Sequence, residues 1–381
     1  MNKFALYTFI LLGNILIGCS KTTNYTSKLN ADNNNLLLFA GTYSNKINGD
    51  TGVFVYMFDT ITADFEKISG VKNIVNPSYL HLSKKNNKLY AVSEGGKNGN
   101  LANTLVFNRN DSSLNIINSF KTEGEDPCFI ITDNDEKILA TANYSGSSIS
   151  LFSLKDGIIE SLIRTIGFKG EGVIKSRQEK SHLHNIIFSP DNKYFFATDL
   201  GTDKIYRIRV NSALFDKNVN PDIDSIDVKP GSGPRHLAFG KDFKHLYLIT
   251  ELSGEINVFS FEDNNLNNIQ TIAADTTNAQ GSADIHITNN GKYLYASHRL
   301  KNDGISIFKI LDDGRIENIG YVNTGKHPRN FVISPNDKYL LAACRDDNMV
   351  EIFSINQETG MLEKTNKQIQ LGSPVCLKFG F

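Results

Sequence analysis

The chain has no tryptophan, only four methionines and only four cysteines in 381 residues. Cys19, Cys128, Cys344 and Cys376 are far apart and contain no CxxC pair. They supply neither a disulfide framework nor the ligand spacing of a zinc site. Cys19 is treated below, and the other three are read as buried free thiols. An excess of charge is also missing, since 40 Lys and Arg stand against 41 Asp and Glu at a pI near 6.7. That balance gives no electrostatic footprint for nucleic acid or for a polybasic membrane patch. No segment of any length carries helical periodicity, which excludes helical solenoids. No GxSxG elbow, GxGxxG fingerprint or phosphate loop occurs, so no cofactor is expected.

The amino terminus is built as an address. Met1 to Lys3 carries positive charge, and Phe4 to Ile17 is almost continuously apolar but short for a bilayer span. It ends in Leu16-Ile17-Gly18-Cys19, which resembles the bacterial lipobox. The resemblance implies that 1–18 is removed as a signal peptide and that Cys19 becomes a lipidated first residue. An ordinary cleaved signal with an incidental cysteine is the alternative. Residues 19–35 are rich in Ser, Thr and Asn and form a polar tether with too little apolar surface to fold. The protein is therefore expected to be exported and anchored in the cell envelope, at the outer membrane or periplasmic face.

From Leu36 to Phe381 one pattern recurs. Pro234-Arg235-His236-Leu237-Ala238-Phe239 is followed by a turn, then His245 to Glu251, then Glu255 to Phe259. The same order begins at Pro77, Pro127, Leu183, Ala283 and Pro328. Each segment is a short β-rich run bounded by Asn, Asp, Gly and Lys turns. The period of about 45 to 57 residues lies in the range of propeller blades. Pro374 to Phe379 is an inner strand with no chain left to complete its blade, whereas Leu36–Tyr43, Gly52–Asp59 and Phe65–Val71 lack a first strand. Joining the two ends predicts an all-β, seven-bladed β-propeller, its ring closed by N-terminal strands on the C-terminal strand.

In a blade the first strand starts, and the second strand ends, on the same face near the central channel. Aligned, the repeats give a first-strand column of Ser78, Cys128, His184, Arg235, Ala283 and Arg329, and a second-strand column of Glu94, Tyr144, Leu200, Glu251, Arg299 and Arg345. Charged residues displace the scaffold's apolar preference at one rim, as expected where a site is grafted on a fold. Taken singly, each is accounted for as a rim charge or an ion pair between blades. Together they suit a small anionic ligand: His184, Arg235, Glu251 and Arg299 are the candidate catalytic set, and Glu94, Tyr144, His182, His286, Arg329 and Arg345 the candidate substrate contacts. His286 has a packed-core alternative. His182-Leu183-His184 offers two ligands but nothing adjacent completes a metal site, so none is assigned. His236, His245, His298 and His327 are expected to make only surface or turn contacts. The loop from Gly167 to Ser181, with Lys169, Lys175, Arg177 and Lys180, is either a lid or a solvated insertion.

Several strings resemble the seven-bladed lactonase family, which includes propeller-type 6-phosphogluconolactonases and carboxy-cis,cis-muconate cyclases. They include Asn76-Pro77-Ser78-Tyr79-Leu80, Arg177-Gln178 leading to His182-Leu183-His184, Gly231-Ser232-Gly233-Pro234-Arg235-His236, Glu251-Leu252-Ser253 and Pro328-Arg329-Asn330-Phe331. The resemblance implies catalytic roles for His184, Arg235, Glu251 and Arg299, the four also reached from the columns. It departs at Phe129, where the family usually has His, and at Leu183, where it has Pro. The implied function is hydrolysis of a sugar-derived lactone by a monomer, with a lactone or anionic sugar acid as ligand. The alternatives are a cyclase or isomerase of a muconate-type acid, and a non-catalytic envelope propeller.

Overall fold

The computed structural model describes residues 34–44, 51–85, 87–95 and 99–380. The proposed signal, lipidation site and nearly all of the tether lie outside this set. The described chain folds into seven four-stranded antiparallel sheets. The fourth blade is representative, with strands Pro234–Phe239, His245–Thr250, Glu255–Glu262 and Asn265–Ala273 ordered from channel to rim. Its second strand is buried at all but its first residue, while its outermost strand alternates between exposed and covered positions. That gradient follows from position: an inner strand is covered on both faces and an outer one meets water. Besides strands there is a single-turn helix, Ser212–Phe215, among the described residues.

One sheet draws on both ends of the chain. Pro374–Gly380 is its innermost strand and pairs with Asn35–Thr42, which continues to Val53–Asp59 and Phe65–Val71. Val375, Cys376 and Leu377 of the closing strand are buried, and Leu377 N donates to Asn330 Oδ1 of the neighbouring blade at 2.7 Å. Pairing at this seam leaves no open inner edge on which another chain could template.

Tyrosines add a second link between blades. Tyr90, Tyr247 and Tyr295 occupy the third place in their second strands, are fully buried, and donate to Gly157 O, Gly314 O and Gly360 O in the outer turn of the next blade, each at 2.8 Å. Each glycine has positive φ, which lets the turn present its carbonyl. Burying a tyrosine ring requires such a partner for its hydroxyl.

Leu377→Ala should cost about 2–5 kcal/mol, as large-to-small core changes do. Chemical denaturation checks this; a loss under about 1 kcal/mol would show that the seam bears no special load.

Candidate active site

The channel mouth is shaped by a repeated irregularity in the innermost strands. Pro127 pairs with Asn143 and Phe129 with Ala142, so Cys128 is bulged out of the ladder. In the same way His184 is passed over between Leu183 and Asn185, Arg235 between Pro234 and His236, and Arg329 between Pro328 and Asn330. In the fifth blade both Ala283 and Asp284 are skipped. A β-bulge bends the strand and re-aims the side chain of its extra residue. Here it turns Cys128, His184 and Arg329 toward one mouth and Arg235 onto Glu251 of its wall.

A cavity of about 240 Å³ opens there, lined by Glu94, Cys128, Tyr144, Arg177, His184, Glu251, Arg299, His327, Arg329 and Arg345. Its size suits a ligand no larger than a sugar. Glu251 is the hub. Its Oε1 accepts from Arg177 Nη2 at 2.5 Å, its Oε2 from Arg235 Nε at 2.8 Å, and Arg299 Nη2 lies 3.1 Å from Oε2. Burial alone would raise the Glu251 pKa, but the guanidiniums of Arg299, Arg235 and Arg177 outweigh it and hold the carboxyl at about 2. Burial, chiefly, pushes Arg299 down to about 9, which leaves it cationic at neutral pH.

The other groups are less committed. Arg329 makes no side-chain hydrogen bond among the described residues. Its guanidinium lies over the Tyr43 ring at 5.2 Å and stands 3.9 Å from Glu94, whose Oε2 accepts from the Tyr43 hydroxyl at 2.8 Å. Arg345 is paired with its neighbour Asp346, Nε to Oδ1 at 2.7 Å. His184 is buried, and its Nδ1 has no partner. Burial, reinforced by Arg235, His236 and Arg329, holds its pKa well below the ordinary value. At neutral pH it is an uncharged imidazole beside a cationic wall.

Against known proteins, the model described as "Lactonase, 7-bladed beta-propeller" matches residues 37–379. The chain belongs to the seven-bladed β-propeller lactonase family. It is 37% identical over 352 residues to a 6-phosphogluconolactonase of Formosa agariphila, covering 90% of this chain and 98% of that one. A solved structure from Bacteroides fragilis superimposes with a TM-score of 0.85 at 42% identity, over 92% of this chain and 99% of that one. The periplasmic gluconolactonase PpgL of Pseudomonas aeruginosa does so with a TM-score of 0.82 at 27% identity, over 91% and 99%.

Of the residues that the sequence of this lactonase-family chain singled out, His184, Glu251, Arg299, Glu94, Tyr144, Arg329 and Arg345 share the cavity. Arg235 touches the same hub but is 1% exposed and absent from the lining. His182 and His286 also lie outside the lining. The His182 ring stacks on Tyr144 at 4.3 Å and is held by Tyr144 O and Glu179. The His286 ring hydrogen-bonds Asp284 and packs edge-on against Phe331. The family departure at Phe129 falls below the cavity, where the ring packs on Tyr79 at 4.0 Å.

The sequence missed other residues. Arg177 reaches the hub because its loop is pinned by buried Gln178, whose Nε2 donates to Leu200 O at 2.9 Å and Asp203 Oδ1 at 2.8 Å. The string Arg177-Gln178 and the basic loop from Gly167 to Ser181 were the signals for it, and neither assigned it a place in the site. The histidines expected at turns and surfaces divide differently. His245 bonds a turn aspartate, Asp242, at 2.7 Å, and His327 Nδ1 stands 3.5 Å from another, Asp346. His327 lines the cavity 3.4 Å from Arg299, His236 is buried under it, and His298 is buried between Ser282 Oγ and Ser306 Oγ, each at 2.8 Å.

Burial is the main cause that lowers His236 and His298, each to about 4. Both pKa values lie below the unfolded one, so the unfolded chain binds more protons between pH 6.5 and 4, and stability is lost as pH falls through that window. Denaturation at several pH values should show this decline, and His298→Asn should shallow the slope by up to about 1.4 kcal/mol per pH unit. An unchanged slope would place His298 outside the titration.

Proposed function

We propose that the protein hydrolyses a sugar-derived lactone in this cavity, in line with the activity named for its relatives of Formosa agariphila and Pseudomonas aeruginosa. The observation that carries the reading is a neutral His184, its Nδ1 without a partner, in the same small cavity as arginines whose shared carboxylate is already neutralised. Both oxygens of Glu251 are engaged by its three guanidiniums, so the task of activating water falls to His184. The attacking water gives its proton to His184 as its oxygen bonds the lactone carbonyl carbon. Arg329 and Arg299 stabilise the tetrahedral oxyanion. The ring C–O bond then breaks, His184 returns the proton to the departing alkoxide, and the acid product ionises. An anionic substrate offsets Arg235 and Arg329, two of the charges that depress His184, and so raises its basicity on binding. Arg235, sealed from the cavity, holds Glu251 rather than substrate. Tyr144, Glu94 and Arg345 complete the lining as contacts to the ligand's hydroxyls and anionic end, while His182 supports Tyr144 from behind.

The setting is the second part of the proposal. The Met1–Cys19 pattern, together with the periplasmic location named for the Pseudomonas aeruginosa relative, supports an exported lipoprotein anchored through Cys19; the cavity is built within one chain, so the proposed unit is a monomer. A substrate outside the cytoplasm need not carry phosphate.

Turnover of δ-gluconolactone and its 6-phosphate by the purified protein tests the chemistry. His184→Ala should lower kcat by about 10²- to 10⁴-fold, and Arg329→Met should raise KM by roughly 10- to 100-fold, the worth of charged hydrogen bonds. Because His184 stays neutral, kcat/KM should hold level as pH falls to 6.5. Wild type no faster than spontaneous hydrolysis, or His184→Ala within tenfold of it, contradicts the mechanism. Cys19→Ser should move the protein from the membrane to the soluble fraction; unchanged membrane retention rules out the anchor.

A further inference from the structure

Beneath the cavity a second set of charged side chains fills the channel, and none of it belongs to the lining. Arg235 Nη1 donates to Ala283 O and lies 3.3 Å from His236 Nε2. His236 Nδ1 is 2.7 Å from Asp284 Oδ1. Asp284, 1% exposed, is itself tied down: its Oδ2 meets His286 Nε2 at 2.9 Å and accepts from Asn330 Nδ2, and its Oδ1 accepts from Ile285 N at 3.0 Å. The His236 ring also packs edge-on against Tyr79, Phe129 and His184, the last with centroids 5.1 Å apart.

Hydrogen-bond chemistry fixes the direction of this chain. A guanidinium only donates, so His236 Nε2 must carry the lone pair that faces Arg235. The ring proton then sits on Nδ1 and points at Asp284, an acceptor-only carboxylate. The tautomer needed above is the one selected below. Without Asp284 the ring is free to turn or to move its proton, and an N–H aimed at Arg235 would repel the guanidinium that holds Glu251 Oε2.

We propose that Asp284 is a positioning residue for the reaction: through the His236 tautomer it holds Arg235 on Glu251, and so fixes the electrostatic floor under the substrate. The inference rests on the lactone-hydrolysis reading of the cavity, but its geometry is testable apart from it. Asp284 does not line the cavity and is expected to act on the barrier rather than on substrate affinity.

The test uses the full-length protein with Asp284→Asn and His236→Asn, singly and together. In Asp284→Asn one amide oxygen faces the donors that two carboxylate oxygens now serve. Both single variants should lose about 10- to 100-fold in kcat, the usual range for outer-layer partners of a site, with KM within about threefold. Because they act along one chain, the double variant should be no slower than the worse single. Nitrogen-15 NMR of the histidine rings should show wild-type His236 protonated on Nδ1 and bare on Nε2. A crystal structure of Asp284→Asn should show Arg235 displaced from Glu251. A proton on Nε2 in the wild type, multiplicative losses in the double variant, or an unmoved Arg235 in folded Asp284→Asn each overturns the proposal. Absence of lactone turnover in the wild type removes the reading of the cavity instead, and the NMR and crystallographic results still decide the positioning.

Discussion

Three guanidiniums converge on one carboxylate at the channel mouth, and the geometry of the site follows from that cluster. Arg177, Arg235 and Arg299 come from a loop, a first strand and the residue just after a second strand in different parts of the ring, and all meet at Glu251. Each charge is costly to bury alone, and removing one partner of such a cluster strands the others without compensation. Glu251 therefore works as an internal counter-ion. It lets several arginines face one small volume, leaves Arg329 uncommitted to bind an anion, and surrenders its own basicity in the process. The neutral His184 is the complement of that choice, since burial, reinforced by the neighbouring positive charge of Arg235 and Arg329, keeps the imidazole uncharged.

The fold makes the convergence possible through closure and through the bulges. Closure, with Pro374–Gly380 paired to Asn35–Thr42, brings Tyr43 of one end against Glu94 and Arg329, so that the seam supports two residues of the cavity wall from behind. The bulges convert an inner strand, whose alternate residues would normally face opposite ways, into a device that aims consecutive residues at the channel. Arg235 Nη1 lies 3.3 Å from the ring of the very next residue, His236, a contact that a regular strand forbids.

That parity change also explains what the sequence showed and what it hid. Blade number, strand order and the two rim columns were legible because the repeat registers them, and a residue that departs from its column stands out. His184, Arg235 and Arg329 were found that way, whereas Cys128, read as a buried thiol, lines the cavity without having been singled out. His236 and Asp284 follow the column by one residue or fall in a two-residue bulge, so an alternating pattern assigns them away from the channel. His327 precedes its strand in a turn residue of positive φ, outside the aligned column. Arg177 lies on a loop that no other blade repeats, and nothing in its spacing tells a lid from an insertion until buried Gln178 is seen to pin it. His182 and His286 share a strand direction with true lining residues, yet their rings pack on Tyr144 and Phe331 instead.

The claim on which the rest depends is that Glu251 is a permanently ionised counter-ion. Infrared difference spectroscopy between the wild type and Glu251→Gln, followed as pH is lowered, tests it most directly. The account predicts that the Glu251 carboxylate band persists well below pH 4.5, for as long as the protein stays folded. A protonated carboxyl band at neutral or mildly acidic pH would contradict it and make Glu251 available as a proton carrier.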